Sequence, residues 1–155
     1  MSGPFGSSQW MYLSELPPRL GARGVFAQTA TSTNPDRISY ITIASTGNAT
    51  DFGNLLFSQI ACTGGSNGSR AVVGGGQNSA SAYINDITYI TIATPGNSVD
   101  FGDLTQGRDG GAHSSLERAI WSNGYNGSSR TNVIDYVTIA TPGNAVDFGD
   151  STIGV

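Results

Sequence analysis

The sequence predicts an all-β protein built from three tandem repeats of about 48 residues, and two repeated phrases support this prediction. The first phrase is YITIASTGNATDFGN, YITIATPGNSVDFGD and YVTIATPGNAVDFGD, starting at Tyr40, Tyr89 and Tyr136. A second phrase, led by an arginine, precedes each copy at Arg23, Arg70 and Arg118. The arginines are 47 and 48 positions apart, and the tyrosines are 49 and 47 positions apart. A period that holds in two separate phrases indicates one supersecondary unit used three times.

The Tyr-led phrase predicts a hairpin. In its second copy, residues 87–93 (ITYITIA) alternate between two uncharged faces, which is typical of a strand covered on both sides. The turn TPGN at residues 94–97 follows, where Pro presets φ and Gly tolerates a positive φ. Residues 99–101 then restart the chain as a short strand.

The Arg-led phrase predicts a third strand in each repeat, and a flanking segment is expected to supply a fourth. In the first repeat this segment is FSQIACT, residues 57–63. The matching stretch QGRDGGAHSSL, residues 106–116, is rich in glycine and predicts a strand less clearly. These assignments place the repeats approximately at residues 19–66, 67–114 and 115–155, after an N-terminal arm of residues 1–18.

Four short strands per repeat resemble a blade of a kelch-type β-propeller. The resemblance depends on VVGG at residues 72–75, the loop after it, the Tyr-bearing strand and the aromatic residue of the next hairpin. The first and third repeats lack the Gly pair, and phenylalanine replaces the usual tryptophan at Phe52, Phe101 and Phe148. Propellers typically have four to eight blades, so three repeats would need oligomerisation to close the ring. The alternative is a β-trefoil or β-prism with internal three-fold symmetry, forms that commonly bind sugars.

Composition argues against several classes of partner. Only 12% of the residues are charged, all seven basic residues are Arg, and the net charge is -4. Such a chain has little capacity to displace the counterions of nucleic acid or to bind an anionic membrane surface. No segment approaches the roughly 20 apolar residues of a membrane span, and the opening MSGPFGSSQWMY lacks the regions of a secretory signal. We therefore expect no nucleic-acid or membrane partner, and synthesis in the cytoplasm without a signal peptide.

The repeated Asp-Phe-Gly tripeptide predicts structure rather than catalysis. Protein kinases hold metal with this tripeptide, but they also need a strand lysine, and this chain has no lysine. Phe is expected in the core, Asp as an acceptor in a turn and Gly at a bulge. His113 and Cys62 are each the only residue of their type, too few for a zinc site. We expect no enzyme activity and no cofactor; the alternative is a Ca²⁺ ion held by the paired carboxylates of Asp100, Asp103, Asp147 and Asp150.

The N-terminal arm carries large apolar side chains in a Gly- and Ser-rich context. We predict that it docks on a partner through Phe5, Trp10, Met11 and Tyr12. An additional edge strand at residues 10–16 is the simpler alternative.

Two further likenesses suggest a setting. IDYVTIATPGNAVDFGD, residues 134–150, resembles repeats in structural proteins of marine bacteriophages. GPFGSSQWMY, residues 3–12, is similar to N-terminal segments of other structural proteins of such phages. The resemblance implies a non-enzymatic virion protein, a capsid decoration or a tail-associated appendage such as part of a tail fibre. It would be located in the virion, anchored by its arm, and assembled with itself and with other virion proteins.

The alternative function is a carbohydrate-binding adhesin that recognises the host surface. Sugar sites commonly set an aromatic ring beside polar side chains. Trp121 and Tyr125 in WSNGYNG offer this combination. The turns at Asn48, Asn97 and Asn144 are expected to lie together on one rim, facing a ligand or receptor.

Overall fold

The computed structural model describes residues 22–27 and 36–154, and in this part of the chain it contains eleven strands and no helix. The strands form three antiparallel sheets, which confirms the predicted all-β class. Sheet 1 contains β1 (Arg23–Ala27), β2 (Arg37–Thr42) and β3 (Thr50–Asn54). Sheet 2 contains β4 (Thr63–Ser66), β5 (Arg70–Gly74), β6 (Asp86–Thr91) and β7 (Val99–Asp103). Sheet 3 contains β8 (Gly111–Ser114), β9 (Arg118–Ser122), β10 (Val133–Thr138) and β11 (Val146–Asp150).

Each sheet follows the chain from strand to neighbouring strand, with the Tyr-bearing strand in its interior. In sheet 2 the order is β4-β5-β6-β7, and sheet 3 repeats it. The Arg-led and Tyr-led phrases pair in the same register each time, with Val25 opposite Tyr40, Val72 opposite Tyr89 and Ile120 opposite Tyr136. The three strands that these two phrases predict in each repeat are therefore present. In the described residues, no helix is long and apolar enough to cross a membrane.

The strand predicted at residues 57–63 does not form as such. Ile60 makes only an isolated bridge with Gln77, and regular pairing begins at Thr63, where β4 joins sheet 2. Ala61 adopts a positive φ of 54°, which interrupts an extended strand at that point. The segment instead carries the chain from sheet 1 to sheet 2, so β4 belongs with the strands that follow it.

The glycine-rich stretch at residues 106–116, by contrast, contains a strand, β8. It lies beside β4, where the Ser66 N–H donates to Ser114 Oγ at 3.0 Å and Thr63 Oγ1 donates to the Gly110 carbonyl at 2.9 Å. A Cβ at Gly65 would lie 2.6 Å from the Cβ of Ser114. Small residues are required here because the two strands approach so closely, and this requirement overrides the low strand propensity of glycine.

The Asp-Phe-Gly tripeptide forms a β-bulge in every sheet. The register shifts between Ile87 and Thr88, opposite which Phe101 is the extra residue, and sheets 1 and 3 show the same shift. The glycine of the bulge has a φ between 133° and 144°, at Gly53, Gly102 and Gly149. The predicted bulge role of this glycine is confirmed.

Two apolar layers hold the three sheets together. The layer between sheets 1 and 2 contains Ile38, Phe52, Leu55 and Ile90. The layer between sheets 2 and 3 contains Val72, Ile87, Phe101, Leu104, Ala119, Trp121, Val137 and Ile139. Sheet 2 contributes to both layers and is covered on both faces, as its uncharged alternation predicts. Sheets 1 and 3 each contribute to one layer, so each has one face that no other sheet of the described chain covers.

Candidate functional site

An Arg–Tyr–Phe stack recurs on one face of every sheet. The guanidinium carbon lies over the tyrosine ring at 4.7, 4.3 and 4.5 Å from its centroid, in the pairs Arg23–Tyr40, Arg70–Tyr89 and Arg118–Tyr136. The same tyrosine makes an edge-to-face contact at 5.8 Å with the phenylalanine of the bulge, Phe52, Phe101 or Phe148. Both kinds of contact are favourable, and the bulge places the phenylalanine within reach of the tyrosine. We call the face that carries this stack the stack face, and the opposite face of each sheet the receiving face.

In sheets 1 and 2, the arginine of the stack connects its sheet to the next one. Arg23 Nη1 donates to the Ile92 carbonyl of sheet 2 at 2.8 Å. Arg70 Nη1 donates to the Ile139 and Ala140 carbonyls of sheet 3, each at 2.9 Å. An arginine suits this role because its planar guanidinium can stack on a ring and still donate hydrogen bonds in the plane. The stack thus holds the arginine where it can bond to the next sheet.

The turn asparagines make the reciprocal connection. Asn97 Oδ1 accepts from the Asn54 N–H at 3.0 Å, and Asn144 Oδ1 accepts from the Asp103 N–H at 3.2 Å. In each case the next residue along the turn also donates to the same strand end, at 2.8 Å from Ser98 to the Asn54 carbonyl and at 2.7 Å from Ala145 to the Asp103 carbonyl. The structure therefore gives the side-chain oxygens of Asn97 and Asn144, expected to face a ligand, a role between sheets. The equivalent Asn48 belongs to sheet 1, which has no preceding sheet in the described chain.

The bulge glycine is needed because the neighbouring turn comes so close. A Cβ at Gly53 would lie 2.4 Å from the Gly96 carbonyl oxygen, and one at Gly102 would lie 2.5 Å from that of Gly143. At Gly149, and at the turn residue Gly47, nothing lies within 4 Å of such an atom. The turn glycines of the covered contacts, Gly96 and Gly143, are equally free, so it is the third bulge alone that lacks the close approach made at Gly53 and Gly102.

Exposure shows the same pattern at equivalent positions. Phe52 and Phe101 are 3% and 2% exposed, whereas Phe148 is 59% exposed. On the receiving faces, Ile92 and Ile139 are 6% and 0% exposed, whereas Ile43 is 65% exposed. The stack face of sheet 3 and the receiving face of sheet 1 are thus the uncovered versions of surfaces that are buried inside the chain. These two faces are the candidate functional surfaces of the described residues.

The proposed sugar platform of Trp121 and Tyr125 does not assemble. Trp121 is 2% exposed, packs in the layer between sheets 2 and 3, and donates from Nε1 to the Thr63 carbonyl at 3.2 Å. Trp121 is buried because its side chain points to the receiving face of sheet 3, which sheet 2 covers. Tyr125 remains 36% exposed and instead makes an edge-to-face contact with Tyr83 at 5.5 Å.

The acidic residues of the repeats do not cluster. Within residues 22–27 and 36–154, no group of three or more His, Cys, Asp or Glu side chains is placed to hold a metal ion. Asp100, Asp103, Asp147 and Asp150 therefore gain no further ligand of these types. Asp147 Oδ1 accepts from the Gly149 N–H at 2.9 Å, which is the turn-acceptor role expected for this aspartate.

A buried ion pair in sheet 3 has no equivalent in the repeat pattern. Arg108 Nη1 lies 2.9 Å from Asp135 Oδ2, and their side chains are 1% and 0% exposed. Asp135 also accepts from Thr105 Oγ1 at 2.7 Å, and Arg108 donates to the Trp121 carbonyl at 3.2 Å. The pair fixes the loop after β7 against β10. The only sequence signal for it is an arginine in a glycine-rich loop and an aspartate inside an apolar strand.

Cys62 and His113 do not form a reactive pair. Cys62 lines a cavity of about 450 Å³ between sheets 1 and 2, and burial raises the pKa of its thiol. The described residues that line this cavity include no His, Asp or Glu that could take the thiol proton. His113 is exposed on β8. The predicted docking residues Phe5, Trp10, Met11 and Tyr12 lie outside the described residues.

No protein-family model matches this chain, and a search of curated proteins finds no match.

Proposed function

We propose that this protein is a non-enzymatic structural component of a bacteriophage virion, a capsid decoration or tail-associated appendage that assembles with copies of itself. The observation that carries the structural role is the use of the repeated residues. Arginine, turn asparagine and bulge glycine contact the neighbouring sheet at both places where two sheets meet inside the described chain. A protein whose repeated residues serve sheet-to-sheet contact is suited to building a scaffold.

The virion setting is supported by sequence resemblance. Residues 134–150 resemble repeats of marine bacteriophage structural proteins, and residues 3–12 are similar to N-terminal segments of other structural proteins of such phages. An arm shared by unrelated bodies would serve as a common anchor to the particle. The arm fixes the protein to the virion, and the three-sheet body projects from it.

We further propose that the three sheets form an arc of a propeller. Each four-stranded sheet is a simple meander, and β4 and β8, the first strands of sheets 2 and 3, lie side by side. This arrangement is expected when the first strand of each blade lies nearest a common axis. A self-closing trefoil or prism is disfavoured, because three-fold closure would cover the third repeat with the first. Phe148, at 59% exposure, lacks the cover that Phe52 and Phe101 have.

The test is whether the chain is part of purified particles. Virus particles from the source culture are banded in a density gradient, analysed by mass spectrometry and labelled with an antibody raised against the protein. We expect peptides of this chain at a fixed copy number relative to the major capsid protein, and label at one defined place on the particle. If intact particles lack the chain while it is abundant in the soluble fraction, the virion role is wrong.

One observation keeps the carbohydrate-binding alternative open. Tyr83 and Tyr125 form a partly exposed aromatic pair, and Asp109 Oδ1 accepts from the Tyr125 N–H at 2.7 Å beside it. Binding of host surface polysaccharide that is lost in Tyr125→Ala but kept in Phe148→Ala, another exposed aromatic, would favour an adhesin. Trp121→Ala is unsuitable for this purpose because it opens the core.

A further inference from the structure

The two uncovered faces of the described chain are unlike and complementary. Inside the chain, the stack face of sheet 1 meets the receiving face of sheet 2, and the stack face of sheet 2 meets the receiving face of sheet 3. This leaves the stack face of sheet 3, with Arg118, Tyr136 and Phe148, and the receiving face of sheet 1, with Phe26, Ile41 and Ile43. A stack face meets a receiving face twice within the chain, and the two remaining faces are one of each kind.

The stack face of sheet 3 already has the geometry of the two covered stack faces. Arg118 lies over Tyr136 at 4.5 Å, as Arg23 and Arg70 lie over their tyrosines at 4.7 and 4.3 Å. Phe148 contacts Tyr136 at the same 5.8 Å separation found in the other sheets. The surface is therefore in its docking geometry before anything covers it, which lowers the ordering cost of binding.

The receiving face of sheet 1 offers the matching groups. The Ile43 carbonyl is equivalent to the Ile92 and Ile139 carbonyls, which accept from Arg23 and Arg70. Asn48 is equivalent to Asn97 and Asn144, whose side chains accept from the end of the preceding sheet. Phe26, Ile43 and Phe148 are 47%, 65% and 59% exposed, so both faces combine apolar surface with polar groups at known positions.

We propose that the stack face of sheet 3 docks head-to-tail on the receiving face of sheet 1 of a second copy of this chain. Arg118 donates to the Ile43 carbonyl of the second copy, and the Asp150 N–H donates to its Asn48 side chain. Gly149 lies against the turn at Gly47 of the second copy, in the space that is open beside Gly149 and is filled beside Gly53 and Gly102. Each of these contacts is the intermolecular equivalent of one that occurs twice within the chain.

The same geometry sets the number of copies. A head-to-tail interface gives either a closed ring or an open filament. Propellers have typically four to eight blades, and six is the only multiple of three in that range. Two copies, each contributing the three sheets of its described residues, therefore close a ring in which both interfaces are the same.

One substitution in the repeat makes this interface weaker than the internal ones. Leu55 and Leu104 are buried at 5% and 3% exposure in the two layers, and the equivalent position in the third repeat is Ser151. The contact between copies therefore buries one leucine less than the contacts inside the chain. This is a reason for the copies to separate while the sheets within each chain stay together.

A charge-swap experiment on the full chain tests the proposal. Arg118→Glu removes the donor on one face, and Ile43→Arg places a like charge opposite Arg118 on the other. We expect each variant alone to raise the dimer Kd by more than about tenfold in sedimentation measurements. Arg130→Glu, an equal charge change at an exposed loop position, is the matched control and is expected to dimerise like the wild type.

The decisive measurement is made on a mixture of the two variants. In a head-to-tail ring of one copy of each, Glu replaces Arg118 opposite the new arginine at one interface, and the other interface is wild type. The equimolar mixture is therefore expected to form dimers at concentrations at which either variant alone is mostly monomeric. The proposal is overturned if the mixture stays monomeric, if the wild type is monomeric, or if the Arg118→Glu variant dimerises normally. A series of larger species would overturn the six-sheet ring.

The inference rests on the proposed structural role, and its outcome can be separated from it. Dimers in solution together with particles that lack the chain would keep the docking and reject the virion role. If the chain is present in particles but monomeric in solution, the virion role is kept and the docking between copies is rejected.

Discussion

Phe101 and Phe148 allow the covered and uncovered stack faces to be compared with one substitution. Both contact a tyrosine ring edge-to-face at 5.8 Å, but Phe101 is 2% exposed and Phe148 is 59% exposed. Replacement of a buried phenylalanine by alanine costs about 3–5 kcal/mol, since it removes buried area and leaves a cavity. At the exposed position the loss is mainly the aromatic pair, about 0.5–1.5 kcal/mol. We therefore expect Phe101→Ala to reduce the free energy of unfolding by roughly 2 kcal/mol or more beyond Phe148→Ala.

The assay is urea unfolding followed by tryptophan fluorescence. Trp121 is buried in the same layer as Phe101 and reports its disruption. Both variants are made in an Ile43→Arg background, so that no second copy covers Phe148 during the measurement. Ile43 is 65% exposed, so this background change is expected to leave the unfolding free energy of the single chain nearly unchanged. Equal losses for the two phenylalanines would refute the assignment of sheet 3 as an uncovered end.

Three further predictions follow from individual contacts. Gly102→Ala should destabilise the fold more than Gly149→Ala, by about 1–3 kcal/mol in chemical denaturation, because both positions have a positive φ but only at Gly102 would the new Cβ meet a neighbouring turn. Asp135→Asn should cost about 3–5 kcal/mol, because it leaves the Arg108 charge buried without its partner; a loss within the range of a surface substitution would contradict this account. Burial raises the pKa of the Cys62 thiol, so at mildly alkaline pH it should be alkylated more slowly in the folded chain than in urea. Because the folded state retains the thiol proton, the contribution of Cys62 to stability should be lost as the pH rises above the ordinary thiol pKa. An alkylation rate in the folded chain equal to that in urea would show that the thiol is not protected.

The repeated phrases were sufficient to predict the interior of each sheet. The invariant spacing from Tyr89 to Gly102 reflects a hairpin whose turn, bulge and aromatic contact all have fixed geometry. The uncharged alternation of β6 correctly predicts that sheet 2 is covered on both faces. These features are local, so single-strand periodicity and turn residues are enough to reveal them.

The edges between sheets were harder to predict, because their residue choices depend on neighbours distant in the chain. β4 and β8 contain glycine and serine because the two strands approach each other closely, and this composition is typical of a loop. Trp121 precedes turn residues such as Asn123 and Gly124, a context that suits the sugar site of the alternative function, but it lies in the layer between sheets 2 and 3. The bonds of Arg23 and Arg70 join residues 69 positions apart, a separation that no local pattern contains.

The native mass of the wild-type full chain, measured across a range of concentrations, tests the central claim most directly. The claim is that the repeats build an arc with two unlike ends, which a second copy completes. It predicts a species of twice the 16.0 kDa chain mass that dissociates on dilution without unfolding. A compact species of one chain mass at every concentration would contradict it, and would return the three sheets to a form that closes by itself.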